Sequence, residues 1–293
     1  GNAQGFRTLC TLQYAPQRGG LQLTSAILGA FTKYPRASAV DTSQMHGISG
    51  KKFGFMQSES DLFRELAEEL GLVRKPGMAD AWHRHPLAFL VEAADDICYH
   101  VMDVEDGYKA GFLSFDEIAE LYRPWFSEPR WEYGLQIEDI GRRVEYFRAL
   151  TVNEMINNVV QAFEDNYDGL MDGTFDEELT ASIPLSKEFK AFKDLAKLKV
   201  YTARPVIEIE ACGFEVIAGL LESFFGAIDI KAKSLGKGIA KAQTLLGLMS
   251  RNGEDLMQLS YYGRILLATD FVSGMTDSFA VDLYQRVRGI SLP

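Results

Sequence analysis

A single predicted helix carries most of the side chains that could do chemistry. Pro86 suits the first turn of a helix. After it, apolar residues recur at helical spacing: Leu87, Leu90, Val91, Ala94, Ile97, Cys98, Val101 and Val104. On one flank of that apolar face lie acidic and hydroxyl-bearing residues: Glu92, Asp95, Tyr99, Asp103 and Asp106. Carboxylates in one row repel each other, so water, a partner or a metal must relieve the repulsion.

Two interpretations of the acidic row are open. Rows of charge on a helix are often solvated faces. The segment 93–96, two alanines followed by two aspartates, favours a shallow pocket that binds a hard cation or a hydroxyl group. An EF-hand is excluded, because placing Gly107 at the sixth loop position puts Val104 where that loop requires an oxygen ligand.

The length, composition, net charge and cysteine count limit the class of protein. The chain has 293 residues, 47% of them hydrophobic, which suits one large or two ordinary globular domains. Its net charge of −11 disfavours general nucleic-acid binding, although an anionic nucleotide needs only a local group of basic side chains. Three scattered cysteines without a CxxC motif predict no zinc knuckle or disulfide framework and suit the cytoplasm. We see no signal peptide and no apolar run of membrane-spanning length, so no membrane is expected.

Helical periodicity also dominates the rest of the chain. Besides the helix at Pro86, helices are predicted over 21–33, 58–70, 114–122, 135–171, 186–199, 201–225 and 254–288. Ser114 and Glu117 form a capping box at the third of these. The run 206–210 alternates like a strand, but its place between helical segments favours helix. The glycine-rich stretch 37–56 is expected to be a loop, and the lysine-rich helix over 186–199 a solvated face.

Three stretches together resemble bacterial dGTP triphosphohydrolases of the HD superfamily. The segment Glu92-Ala93-Ala94-Asp95-Asp96-Ile97-Cys98-Tyr99, followed by Asp103-Val104-Glu105-Asp106, closely resembles the signature of that family. The opening Gly1-Asn2-Ala3-Gln4 and the stretch 270–277 resemble two further family segments. The resemblance implies an all-α, HD-domain-like multi-helix bundle. Residues 1–293 would be a single α-helical unit that corresponds to the C-terminal two-thirds of the family fold, with the N-terminal portion of that fold absent.

The resemblance also implies metal-dependent hydrolysis of dGTP or another dNTP to a deoxynucleoside and triphosphate. In that family a His, an adjacent His-Asp pair and a distant Asp hold a divalent metal such as Mg²⁺ or Mn²⁺, and Asp95 matches the distant Asp. The chain contains no His-Asp dipeptide, and one carboxylate is too few ligands for a metal. We therefore expect the other ligands to lie outside these residues and this stretch alone to be inactive.

Substrate contacts follow from the same resemblance. Tyr99 and Asp103 match positions that face the deoxyribose, and Glu210 could accept a hydrogen bond from a guanine edge. The family positions near the phosphates match Asn2, Lys33, Tyr34 and Lys52. Taken without the resemblance, the two lysines also suit a helix C-terminus or an open surface, and the asparagine suits a helix start.

Several further features have structural explanations. The His83-x-His85 pair could bind a metal, but His85 is expected to cap the helix at Pro86. Gly274 falls inside the last predicted helix, which would require close packing there. Gly236-Lys237 fails the P-loop pattern, because position 231 is Lys and position 238 is Gly. Arg148 is left open as a site residue.

Two other classes of function remain beside the enzyme. The first is a catalytically inactive nucleotide-binding or assembly subunit of the same family. A His and a His-Asp pair upstream of these residues would exclude it. The second is a helical interaction module with a solvated acidic strip, which dNTP binding would discard. Homo-oligomers are usual in the family, so a homo-oligomer is expected. Nucleic acid is compatible with the family but is not indicated by the charge.

Overall fold

The computed structural model describes residues 1–14, 19–43, 45–233, 239–249 and 255–291. The described residues form α-helices α1 (Asn2–Arg7), α2 (Ser25–Phe31), α3 (Ser60–Glu69), α4 (Pro86–Lys109), α5 (Phe115–Tyr122), α6 (Glu128–Leu135), α7 (Ile140–Asp165), α8 (Tyr167–Asp172), α9 (Ser186–Leu195), α10 (Arg204–Ala232), α11 (Ile239–Leu248), α12 (Tyr261–Ser273) and α13 (Asp277–Val287). They include isolated β-bridges, such as that between Arg36 and Ala81, but no strand. The prediction of an all-α fold is confirmed.

The chain divides into two compact units, Gly1–Ala203 and Arg204–Pro293. Each unit has its own buried apolar core. The expectation of a single α-helical unit over residues 1–293 concerns the chain as a whole and stays a prediction. All the predicted site residues except Glu210 belong to the first unit.

Helix α4 is the centre of the first unit. Pro86 occupies its first turn, and the His85 Nδ1 accepts a hydrogen bond from the Leu87 amide at 3.2 Å, so the predicted cap is confirmed. One side of α4 packs against α7 and α9 and buries Ile97 and Val101 in the core. Burying a side chain of this size stabilises the fold by about 1.5–3 kcal/mol.

The predicted apolar face of α4 is only partly buried. Val101 and Val104 are inaccessible to solvent, whereas Leu87, Val91, Ala94 and Cys98 are exposed. The prediction is wrong for these four because the apolar positions form a stripe wider than the neighbouring helices cover. Periodicity gives the direction of such a stripe, but only packing decides which of its edges is covered.

An aromatic cluster anchors the segment that precedes α4. Phe6 of α1 and Phe63 of α3 pack with Phe55 and Trp82. The Phe55 and Phe63 rings stack with their centroids 4.2 Å apart. Between these anchors, the described residues of the stretch 37–56 are irregular apart from one 3₁₀ turn and one β-bridge, which joins Ala37 to Phe55, as the glycine-rich sequence predicts.

Helix α10 is the centre of the second unit. It packs against α11, α12 and α13 and buries Leu220, Phe224 and Ile228. Its first turns contain residues 206–210, so the preference for helix over strand is confirmed. By length and composition alone, α10 is also apolar enough to cross a membrane, and 33% of its most apolar window is buried within the protein. The expectation of no such run is therefore wrong, because the charged residues spaced along α10 leave one apolar window that contains at most two of them.

The predicted helix over 254–288 is interrupted. Its described part contains a 3₁₀ turn followed by α12 and α13. Gly274 caps the end of α12, and two residues later the Thr276 hydroxyl accepts a hydrogen bond from the Phe279 amide at 3.4 Å. Gly274 therefore does not lie inside a helix, and the predicted close packing is wrong, because this segment stops one helix and starts the next. Gly236 and Lys237 lie outside the described residues.

Candidate functional site

The exposed flank of α4 carries Asp95, Tyr99 and Asp103 on successive turns. Asp95 is exposed, 62% of Tyr99 is accessible to solvent, and Asp103 is half-buried. The Tyr201 hydroxyl donates a hydrogen bond to the Asp103 carboxylate. Burial and this bond raise the pKa of Tyr201 to about 12. The structure therefore brings these three predicted residues onto one surface and adds Tyr201 to them.

Glu92 lies on the same flank of α4 but is buried, so it does not contribute to the exposed surface. Its carboxylate is 5% exposed and binds the guanidinium of Arg84, which is 0% exposed. The Lys33 Nζ lies 3.0 Å from the Glu92 Oε1. At about 100° per residue, Glu92 lies about 20° from both Tyr99 and Asp103 around the helix, so it shares their flank. Its carboxylate is buried because Arg84 and the turn after α2, which carries Lys33, cover that part of the flank.

Arg84 joins the start of α4 to the turn that follows α2. Its Nε donates a hydrogen bond to the Lys33 carbonyl oxygen at 2.6 Å. Its guanidinium lies 5.6 Å from the centroid of the Tyr34 ring and 5.1 Å from that of Phe89. Tyr34 is buried in this contact. The structure thus places two of the predicted phosphate residues, Lys33 and Tyr34, beside α4.

A cavity of about 340 Å³ borders the next flank of α4. Asp96, His100 and Glu178 line it together with four lysines from α9 and the turn after it: Lys187, Lys190, Lys193 and Lys197. Four lysines against two acids give its wall a positive excess. Burial raises the pKa of Asp96 to about 6, although Lys33 opposes the shift.

His100 is the buried polar group of this cavity. Burial, reinforced by Lys193, lowers the pKa of its imidazole to about 4, so the ring is neutral at pH 7. The ring meets Phe189 edge-on with centroids 5.1 Å apart. Its Nδ1 has no hydrogen-bond partner in the described part of the protein. Buried polar atoms are normally satisfied, so a polar group of a ligand in the cavity could bind this nitrogen.

The remaining predicted residues do not line this cavity. Asn2 is half-buried in the first turn of α1, and Lys52 is exposed in the loop 37–56. Glu210 is exposed on α10 in the second unit. Their binding roles stay predictions. Arg148 forms an ion pair with the buried Glu105 at 2.6 Å, which gives it a structural role in the first unit.

The described residues do not complete a metal site. They include no group of three or more His, Cys, Asp or Glu side chains placed to hold an ion. Asp95 supplies one carboxylate, which suits a hard divalent cation, but one ligand does not hold a metal. His83 packs against Gly173 and His85 caps α4, so the His-x-His pair does not add to it.

Sequence reasoning missed three contributors to the site. The cavity lysines recur every three or four residues, which indicates that they share one helix face. The sequence predicted a solvated face there, but part of this face lines the cavity. Arg84 and Tyr201 gave no pattern to recognise, because each meets its partner only through tertiary contact. Tyr201 is 98 residues from Asp103 along the chain.

Fold and site together define an all-α protein with a lysine-lined cavity beside an acidic helix flank. The chain is 36% identical, over its whole length, to a deoxyguanosinetriphosphate triphosphohydrolase-like protein of Synechocystis sp.. It is 34% identical over 99% of its length to a like-named protein of Listeria monocytogenes, and 26% identical over 99% to a deoxyguanosinetriphosphate triphosphohydrolase of Klebsiella pneumoniae. The chain belongs to the dGTP triphosphohydrolase family, as the resemblance predicts. It spans 65%, 65% and 63% of the length of these three relatives. No family model matches it.

Proposed function

We propose that the protein is a dNTP triphosphohydrolase that converts dGTP or another dNTP and water into a deoxynucleoside and triphosphate. The observation that carries the proposal is the arrangement on α4. One flank presents Asp95, Tyr99 and Asp103, and the adjoining flank faces a cavity lined by lysines. A dNTP matches these two flanks, because it has a neutral sugar at one end and a polyanionic triphosphate at the other.

The triphosphate end needs local positive charge, because the chain as a whole carries −11. We propose that Lys33 and the cavity lysines neutralise it, with Lys193 the central contact. Each charge-assisted hydrogen bond to a phosphate oxygen is worth about 1.5–3 kcal/mol. Asn2, Tyr34 and Lys52 are further proposed phosphate contacts, which rest on their family positions.

The sugar end is assigned to Tyr99 and Asp103. Tyr99 would pack where a ribose 2′-hydroxyl would clash, which favours deoxyribose. Asp103 would accept a hydrogen bond from the 3′-hydroxyl, and the Tyr201 hydroxyl donates to the same carboxylate and so holds it in place. Glu210 is proposed to accept from the guanine edge, on its family position alone.

The reaction in this family calls for a divalent metal, Mg²⁺, Mn²⁺ or similar. When bound, such an ion would supply a water of lowered pKa for attack on phosphorus. We propose Asp95 as one carboxylate ligand, with the remaining ligands outside the described residues. We also propose that the protein works in the cytoplasm as a homo-oligomer.

The test is direct product analysis. The complete enzyme, with the ligands proposed to lie outside these residues, is incubated with dGTP and Mn²⁺, and the products are separated by anion exchange. Deoxyguanosine and tripolyphosphate in equal amounts are the expected products of the complete enzyme. Phosphate or pyrophosphate as the first product contradicts the proposal.

A second candidate is a catalytically inactive nucleotide-binding or assembly subunit of the same family. Such a subunit would bind a dNTP through the lysine-lined cavity and the exposed Tyr99 flank. It predicts dGTP binding, measured by isothermal titration calorimetry, without turnover at any metal concentration. If neither binding nor turnover occurs, both candidates are wrong.

A further inference from the structure

Glu92 is shared by two cations of different character. Its Oε1 lies 3.0 Å from the Lys33 Nζ and 3.3 Å from the Arg84 Nη2, while its Oε2 binds the Arg84 Nη1. Arg84 is fully buried, whereas the Lys33 side chain is 24% exposed. One of the two cations is therefore fixed in the interior, and the other reaches solvent.

Arg84 has further reasons to stay in place. Its Nε donates to the Lys33 carbonyl oxygen, and its guanidinium lies over the Tyr34 and Phe89 rings. Lys33 is bound to the cluster mainly through Glu92. Burial alone would lower the pKa of Lys33, but its pairing with Glu92 outweighs burial and raises that pKa. Its ammonium is charged and available to an anion.

The charges of this cluster are unequal. Two cations meet one carboxylate, so the cluster carries a net charge of +1. In an ordinary buried pair, withdrawing the cation leaves an unpaired carboxylate, which is strongly destabilising. Here the bidentate contact with Arg84 still neutralises Glu92 when Lys33 leaves, so that penalty is largely avoided.

We propose that Arg84 and Glu92 are positioning residues: they hold Lys33 ready beside Asp96, and Lys33 then exchanges its bond to Glu92 for a phosphate oxygen. This inference rests on the proposed function, because it deepens the role of Lys33 there. Its specific content is competition: Glu92 and the phosphate bind the same ammonium. Removing the Glu92 charge should therefore strengthen phosphate binding, and only through Lys33.

The test is a double-mutant cycle on the full chain, with inorganic tripolyphosphate as the probe and calorimetry as the readout. Lys33→Met should weaken binding. Glu92→Gln should tighten binding by at least about threefold, the scale of coupling between contacting charges. In the Lys33→Met background, Glu92→Gln should no longer tighten binding. A tightening that persists without Lys33 overturns the proposal.

The matched control is Glu178→Gln, which removes a carboxylate that lines the cavity but is not paired with Lys33 in the described ion pairs. Any general gain from lost negative charge should appear there too, but it should be the same with and without Lys33. A Glu178 effect that depends on Lys33 as strongly as the Glu92 effect also overturns the proposal.

Glu92→Asp covers the risk that Glu92→Gln unfolds the protein. It keeps a negative charge for Arg84 but shortens the side chain by one methylene, so a smaller, Lys33-dependent tightening is expected. Weaker binding by a folded Glu92→Asp variant contradicts competition. If only the Lys33 coupling is absent while tripolyphosphate still binds, the positioning proposal fails and the proposed function stands. If tripolyphosphate does not bind the wild-type chain, both fail.

Discussion

At the scale of single residues, the site depends on which parts of α4 its neighbours cover. Asp95, Tyr99 and Asp103 share the exposed flank, whereas Glu92 is buried against cations. Asp96, next to Asp95 in sequence, faces a cavity where burial raises its pKa to about 6. Neighbouring acids on one helix therefore have different surroundings and different proposed roles.

Tyr99 provides a test of sugar selection. We expect Tyr99→Ala to reduce the preference for dGTP over GTP by at least about tenfold, because the ring that would exclude a 2′-hydroxyl is removed. Competitive binding of the two nucleotides measures it. Tyr133→Ala is the control, since Tyr133 is also well exposed in the first unit, at 61%. Unchanged discrimination in Tyr99→Ala rules out the sugar role.

His100 should make stability depend on pH. Its pKa is about 4 when folded and 6.5 when unfolded, so the unfolded chain binds more protons between these values. Stability from this group is therefore complete above pH 6.5 and falls as pH drops toward 4. From pH 7 to 5, we expect wild type to lose on the order of 1 kcal/mol more than His100→Leu.

Urea unfolding followed by tryptophan fluorescence measures this difference. All three tryptophans lie in the first unit: Trp82, Trp125 and Trp131. Asp96 makes stability change with pH in the opposite direction, because its pKa is raised from 3.8 to about 6 in the folded protein. That contribution is present in both proteins and cancels. Equal losses in wild type and His100→Leu would contradict the prediction.

At the scale of elements, helix starts were the most predictable features. The Ser114 hydroxyl accepts from the Glu117 amide, and the Glu117 carboxylate accepts from the Ser114 amide, as the capping box predicts. His85 caps α4 as expected. These motifs were predictable because both partners lie within a few residues in sequence. Helix ends were less so, and the break at Gly274 was missed.

The capping box gives a prediction at this scale. Ser114→Ala should lower the free energy of unfolding by about 1 kcal/mol, because the first turn of α5 loses a hydrogen-bond acceptor. Urea unfolding by tryptophan fluorescence measures it. Ser127→Ala is the control, since Ser127 sits at the start of α6 without a capping bond and should change stability by less than about 0.5 kcal/mol. Equal effects of both substitutions would refute the cap.

At the scale of the whole molecule, local charge opposes total charge. The chain carries −11, which repels a nucleotide triphosphate at long range. The cavity wall contains four lysines, three on α9 and one in the turn that follows it. Screening limits the long-range repulsion to about 8–10 Å at ordinary salt, so close lysines decide binding.

Lys193 tests this balance. We expect Lys193→Met to weaken tripolyphosphate binding by about tenfold, because one charge-assisted contact is lost. Lys109→Met makes the same change in total charge, but Lys109 pairs with Glu105 at the end of α4 and does not line the cavity. Calorimetry should show little effect for Lys109→Met. Equal losses for both would mean that total charge, and not the cavity, sets the affinity.

The sequence alone determined the all-α class, the helix that organises the first unit, two of its caps and the family. The class, the helix and the caps depend on periodicity and on partners a few residues apart, whereas the family follows from the resemblance of three stretches to known sequences. It also placed Asp95, Tyr99 and Asp103 on one flank. Only the tertiary structure decided that Glu92 is buried against Arg84 and Lys33, that Tyr201 holds Asp103, and that the lysines of α9 line a cavity. Those contacts depend on how separate segments pack against each other, and no local spacing encodes them.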